Sequence, residues 1–204
     1  LEYYTLASEQ GNTIAMTNIG LMYEYGNGVD KDPKRAVEYY QKAADMGDAS
    51  ATVNLGVMYE YGNGVDKDPK RAVECYQTAA DMGDARGQAY LAIMYRDGNG
   101  VQKDYAKAVE YYTLAAEQDN LTALNNLAIL YLEGKGVEAD ETKAMELYTR
   151  AAELGEPYAQ YNLGFSYFMG KGVEKDYAKA AYWYNECVNN PNADEKIIKD
   201  ASEQ

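Results

Sequence analysis

Ala15, Ile19, Met22 and Tyr23 fall at i, i+4, i+7 and i+8, the spacing of one buried helix face. This predicts a helix, here termed helix A. A second apolar face follows, with Ala36, Tyr40, Ala43 and Ala44 at helical spacing behind Asp32 and Pro33, an N-cap followed by a first-turn proline. This is helix B. Between them lies Gly26-x-Gly28-Val29, in which the first glycine suits a left-handed helix end, the second permits another backbone reversal, and the valine can tuck beneath the loop. Gly47 stops helix B, and Asp48 is placed to cap the next helix A.

The same pattern recurs down the chain. The Gly-x-Gly-Val loop begins at Gly26, Gly62, Gly98, Gly134 and Gly170, a period of 36 residues without an insertion. Residues 22–49 and 58–85 are identical at 26 of 28 positions, the mark of a recent duplication. Asp68–Pro69 repeats the helix B start, and Asp104, Asp140 and Asp176 keep its cap. Leu1 to Gly11 aligns with Val109 to Asp119, so the chain is expected to open on the second half of a unit and the array to have been longer. A single helix pair cannot bury its apolar face, whereas stacked pairs share a continuous core. The expected fold is all-α: a right-handed α-solenoid of stacked antiparallel helix pairs, with a partial repeat at 1–11 and five repeats over 12–190 in one domain. Residues 191–204 leave the pattern and read as a C-terminal tail or capping helix, with Ile197 and Ile198 as its anchors.

The residues carry a resemblance. In the second unit Ala51, Asn54, Leu55, Gly56, Tyr59, the glycines 62 and 64, Val65, Asp68, Ala72, Tyr76, Ala79, Ala80 and Gly83 form a pattern that resembles the Sel-one-like repeat, a branch of the tetratricopeptide-repeat superfamily. Departures are local: Arg71 stands for a lysine, Gly87 for the first alanine, Tyr90 for the asparagine, Ala92 and Ala128 for a glycine, and Asp119 for the helix-ending glycine. The resemblance implies an adaptor that binds proteins or peptides. It also implies that the helix A stripe at 14, 18, 21 and 25 faces a concave groove.

Composition narrows the function. With 19 Lys+Arg against 33 Asp+Glu the formal charge is −14, which opposes binding to nucleic acid and favours a basic partner. The absence of histidine removes His-dependent triads and His zinc sites. No apolar run approaches the ~20 residues of a membrane-spanning helix, so no direct membrane insertion is expected, while the compartment is left open. Cys75 and Cys187 occupy different repeat positions three units apart and are expected to stay reduced. The Gly-Lys-Gly at 134 and 170 lacks the Ser/Thr and preceding strand of a phosphate loop. Asp30-x-Asp32 has Arg35 where a calcium loop turns on glycine, and the sequon at Asn120 receives no role. No enzyme, cofactor or metal is expected.

Three sets of residues stand out as candidate ligand contacts. Asn18, Asn54, Asn126 and Asn162 recur on the groove stripe, where an amide can both donate to and accept from a peptide backbone, or else bond a neighbouring helix. Arg86 brings a cation to the same stripe and can hold a carboxylate; Arg96 is the only other basic residue in any helix A. In the fifth repeat Tyr158, Tyr161, Phe165 and Phe168 share a helix face outside the core set, an anchor for an apolar or basic, aromatic-rich segment unless the tail folds over it. The alternative to an adaptor is a structural scaffold that self-associates through open solenoid ends.

Overall fold

The side chain of Asp32 accepts from the backbone N–H of Arg35 and Pro33 occupies the first turn, so α3 starts where the sequence placed helix B. Asp48, three residues past the end of α3, accepts from Ala51 N–H and starts the next helix. This alternation builds the whole protein. The computed structural model describes residues 2–203, and among them every regular element is an α-helix.

Two compact units divide the chain, residues 1–104 and 105–204. The first holds α1 (Glu2–Glu9), α2 (Thr13–Tyr25), α3 (Pro33–Asp45), α4 (Ala49–Tyr61), α5 (Pro69–Asp81) and α6 (Ala85–Asp97). Helices α2, α4 and α6 are helix A elements and α1, α3 and α5 are helix B elements. Each helix packs on the next, α2 on α3 and α3 on α4, so the core is a continuous seam. Its floor is small and its walls are aromatic: Ala36, Ala43, Ala72 and Ala79 are fully buried beside Tyr40 and Tyr76. Burying each of these rings contributes about 2–3 kcal/mol before entropic costs. The Tyr76 ring lies against Gly56, where a Cβ would meet its Cε1 at 2.6 Å; Gly20 makes the same room for Tyr40.

The two loop glycines have different duties. Gly62 ends α4 in the left-handed region, φ 74°, and donates to Met58 C=O at 2.9 Å. Gly64, also at φ 74°, sets its backbone against Pro33 at the start of the preceding helix B, with no room for a side chain between them. The second glycine is therefore the joint between repeats, and Gly100 makes the same contact on Pro69.

The second unit repeats this plan with α7 (Tyr105–Glu117), α8 (Leu121–Glu133), α9 (Glu141–Glu153), α10 (Pro157–Met169), α11 (Tyr177–Val188) and α12 (Glu195–Ser202). Gly136 and Gly172 set against Tyr105 and Glu141 as the joints. Asp119 takes the place of a helix-ending glycine and adopts the glycine's conformation, φ 60°, while its carboxylate accepts from Arg150 Nε at 2.7 Å.

Residues 195–202 form a short helix A. Helix α12 lies against α11 and α10. Its buried residues Ile197 and Ala201 follow the N-cap Asp194 by the same intervals at which Ala15 and Ile19 follow the N-cap Asn12, with large and small side chains exchanged.

Candidate functional site

The stripe positions of α2, α4 and α6 line one groove of about 450 Å³ in the first unit. Helix α2 supplies Ile14, Asn18, Leu21 and Tyr25, α4 supplies Asn54 and Val57, and α6 supplies Arg86 and Tyr90. Apolar and polar groups thus alternate along one concave surface. Asp48 also lines it, but its carboxylate already caps α4.

Glu24, which lines this groove, and its counterpart Glu60 on α4 are each fixed from behind. Tyr40 donates to Glu24 Oε2 at 2.6 Å and Tyr76 donates to Glu60 Oε2 at 2.7 Å, each from a ring wholly inside the core. Burial, reinforced by these acceptors, pushes both phenols far above their ordinary pKa, so they remain donors. The neighbouring Tyr25 and Tyr61 are exposed, and the charges of Glu24 and Glu60 raise their phenol pKa values in turn. Tyr90 stacks on Tyr76 with centroids 5.0 Å apart and planes within 11°. No sequence signal marks the Tyr–Glu pairs: the partners are 16 residues apart, and the tyrosine persists in units where the glutamate is replaced.

Arg86 donates to Asn54 Oδ1 at 2.9 Å, bridging α6 to α4 across the groove, and its charge reaches Tyr25 and Tyr40 on the far side. Arg96 is instead tied to Asp97 by contacts of 2.7 and 2.8 Å, which hold that carboxyl below its usual range.

In the second unit the asparagines are engaged with the scaffold. Asn126 donates to Thr122 C=O at 2.8 Å and Asn162 donates to Asn125 Oδ1 at 3.1 Å. The four aromatics of α10 divide. Tyr161 and Phe168 pack against the cluster formed by Ala180, Tyr184, Cys187, Ile197 and Ala201. Tyr158 and Phe165 lie at stripe positions and stay 41 % and 40 % exposed, the Tyr158 hydroxyl donating to Asp194 at 2.6 Å. Phe168 stands where Glu24 stands in the first repeat, and the Tyr184 hydroxyl is correspondingly buried without a hydrogen-bond partner among the described residues.

Both thiols are free, and burial pushes each up to about 11. Among the described residues no group of three or more Cys, Asp or Glu is arranged to hold a metal, and no helix is long and apolar enough to cross a membrane.

A family model for the Sel1 repeat matches residues 1–12, 13–48, 49–84, 85–120, 121–156 and 157–186. The chain belongs to the Sel1-repeat family. Sel1-repeat proteins are generally interaction scaffolds and are typically non-catalytic. Among solved structures, the chain is similar to a protective antigen of uropathogenic Escherichia coli displaying an SLR fold, at 37 % identity and a TM-score of 0.85. That match covers 94 % of this chain and 41 % of the antigen, so the chain spans less than half of the antigen's length. A Sel1-repeat protein from Oxalobacter formigenes matches at 36 % identity and a TM-score of 0.83, covering 90 % of this chain and 73 % of its own. An immunity protein from Pseudomonas aeruginosa matches at 25 % identity and 0.59, covering 99 % of this chain and 70 % of its own. Among curated proteins none matches significantly.

Proposed function

We propose that the first unit binds an extended peptide segment of a partner protein in the groove formed by α2, α4 and α6. The observation that carries this reading is the convergence of the stripe residues Asn18, Leu21, Asn54, Val57, Arg86 and Tyr90 on one concave surface. An extended peptide has backbone carbonyls that need donors and side chains that need apolar contact, and this surface offers both. Arg86 and the asparagines serve the main chain; Leu21 and Val57 serve the side chains. Phe165 and Tyr158, exposed on the equivalent stripe of α10, extend the same role to the second unit.

Selection of a peptide library on the intact protein tests this, with Asn54→Ala and Arg86→Ala as groove variants. Selected peptides should lose about tenfold in affinity for each variant. Peptides that bind both variants as well as the unaltered protein would place the site elsewhere.

A second reading, self-association as a structural scaffold, is favoured by the exposure of Tyr3 and Leu6 on α1. Sedimentation over a concentration series separates the two, because only the scaffold gains mass as protein is added.

A further inference from the structure

The loops between helix A and helix B carry a feature that peptide binding does not use. Asn27–Gly28, Asn63–Gly64 and Asn99–Gly100 place an asparagine before the second loop glycine in the first three repeats, whereas Lys135 and Lys171 stand there in the last two. In all three the asparagine N–H is occupied, donating to Met22, Met58 and Met94 C=O at 3.0, 3.0 and 3.1 Å. The N–H of the following glycine makes no hydrogen bond among the described residues. A glycine nitrogen beside a side-chain amide is a nucleophile with no Cβ to hinder it.

Their surroundings separate the three pairs. Asn27 is exposed, and a Cβ at Gly28 would meet only the flexible end of Met22, at 3.5 Å from its Cε. Asn63 and Asn99 are half-buried, and the glycines that follow them are set on the carbonyl groups of Pro33 and Pro69. The Asn99 amide also donates to Met94 Sδ at 3.8 Å.

We propose that Asn27 is a self-modifying site, which converts to aspartate and isoaspartate in the folded protein while Asn63 and Asn99 are spared. Gly28 N attacks Asn27 Cγ and forms the N–Cγ bond. The side-chain amide nitrogen leaves as ammonia, taking the proton that Gly28 N gives up, and a five-membered succinimide results. Water then opens the ring. Addition at Cγ breaks the new bond and yields aspartate; addition at the main-chain carbonyl breaks the original peptide bond and yields isoaspartate, whose main chain runs through the former side chain. Either product replaces a neutral amide with a carboxylate two residues beyond Tyr25, which lines the groove.

Ring closure turns the peptide between the two residues and carries the glycine backbone with it. Gly28 has room for this movement. At Gly64 and Gly100 the loop must first lift off the preceding helix B, and the free energy of that local opening adds to the barrier. Residues 25–29 and 61–65 are the same pentapeptide, so Asn27 and Asn63 have equal local chemistry and only the fold distinguishes them.

The test is incubation of the intact protein at mildly alkaline pH, which favours loss of the glycine N–H proton, followed by trypsin and mass spectrometry. Cleavage after Lys and Arg puts the three asparagines in separate peptides, 1–31, 43–67 and 97–103. Asn27 should convert at least about tenfold faster than Asn63 and Asn99. In urea sufficient to unfold the chain, Asn27 and Asn63 should convert at equal rates. An unchanged Asn27 in the folded protein, equal rates at Asn27 and Asn63 there, or a difference between them that persists in urea overturns the proposal.

Discussion

Gly64 rests its backbone directly on the carbonyl group of Pro33, and a Cβ at position 64 would also come within 2.8 Å of Lys34 N. The equivalent glycine of the first loop, Gly28, meets only the flexible end of Met22, at 3.5 Å from its Cε. Both have positive φ, 74° and 75°. Gly28→Ala should therefore cost about 1 kcal/mol, the strain of a left-handed alanine. Gly64→Ala should cost about 2–4 kcal/mol because an overlap between this loop and the first turn of α3 is added. Urea denaturation of the two variants gives the comparison, and equal losses would remove the joint role from Gly64.

Tyr40 and Tyr184 fill the same place in their repeats, yet only Tyr40 has an acceptor. Tyr40→Phe should destabilise by about 1.5–3 kcal/mol, the worth of a hydrogen bond to a charged group. Tyr184→Phe should be neutral or stabilise by up to about 1 kcal/mol, since it removes a buried hydroxyl that nothing satisfies. Chemical denaturation reads both, and a matching loss at Tyr184 would mean that its hydroxyl is engaged.

Asp119 holds φ 60°, whereas Gly11, Gly47, Gly83 and Gly155 end their helices at φ between 83° and 85°. Asp119→Gly should raise stability by about 1 kcal/mol, because glycine carries no Cβ penalty in this region. Its ion pair with Arg150 is solvent-exposed and offsets little of that gain. The midpoint of thermal unfolding should rise.

The thiols set an alkaline limit. Cys187 is fully buried and its pKa is raised by burial from 9.0 to about 11; Cys75, half-buried, moves the same way. Above pH 9 the unfolded chain loses these protons while the folded chain keeps them, so folding stability declines as pH rises from 9 toward 11. Below pH 9 their contribution is complete. The Cys75→Ala/Cys187→Ala variant should show a shallower decline between pH 8.5 and 10, before tyrosine ionisation dominates. Parallel stability–pH curves for the two proteins would refute this.

Helix limits and the core were readable because they repeat: the caps at Asp32 and Asp48, the buried Tyr40 and the left-handed Gly26 follow from local chemistry. The joint role of Gly64 was not readable, because its partner Pro33 lies 31 residues earlier and only stacking brings them together. The Glu24–Tyr40 pair was hidden for the same reason. The period of α10 put four aromatics on one side, but which of them face solvent depends on how α11 and α12 pack over them, with Tyr161 against Tyr184 and Phe168 against Tyr177. Tyr161 and Phe168 meet the cluster that includes Ile197 and Ala201; Phe165 does not. The asparagine positions were also legible, whereas the bonds from Asn126 to Thr122 and from Asn162 to Asn125 are properties of the folded helices.

The joints at Gly64, Gly100, Gly136 and Gly172 share one more property: each glycine meets a backbone carbonyl, contributed in turn by Pro33, Pro69, Tyr105 and Glu141. At Gly64, Gly100 and Gly136 the near neighbours are main-chain atoms alone, so the coupling there does not depend on which side chains a unit carries; at Gly172 the side chain of Met145 comes equally close. A unit of 36 residues that is duplicated whole therefore brings its own joint glycine with it. The near-identical stretches at 22–49 and 58–85 are the footprint of such an event. Groove chemistry is then free to diverge afterwards, one helix face at a time.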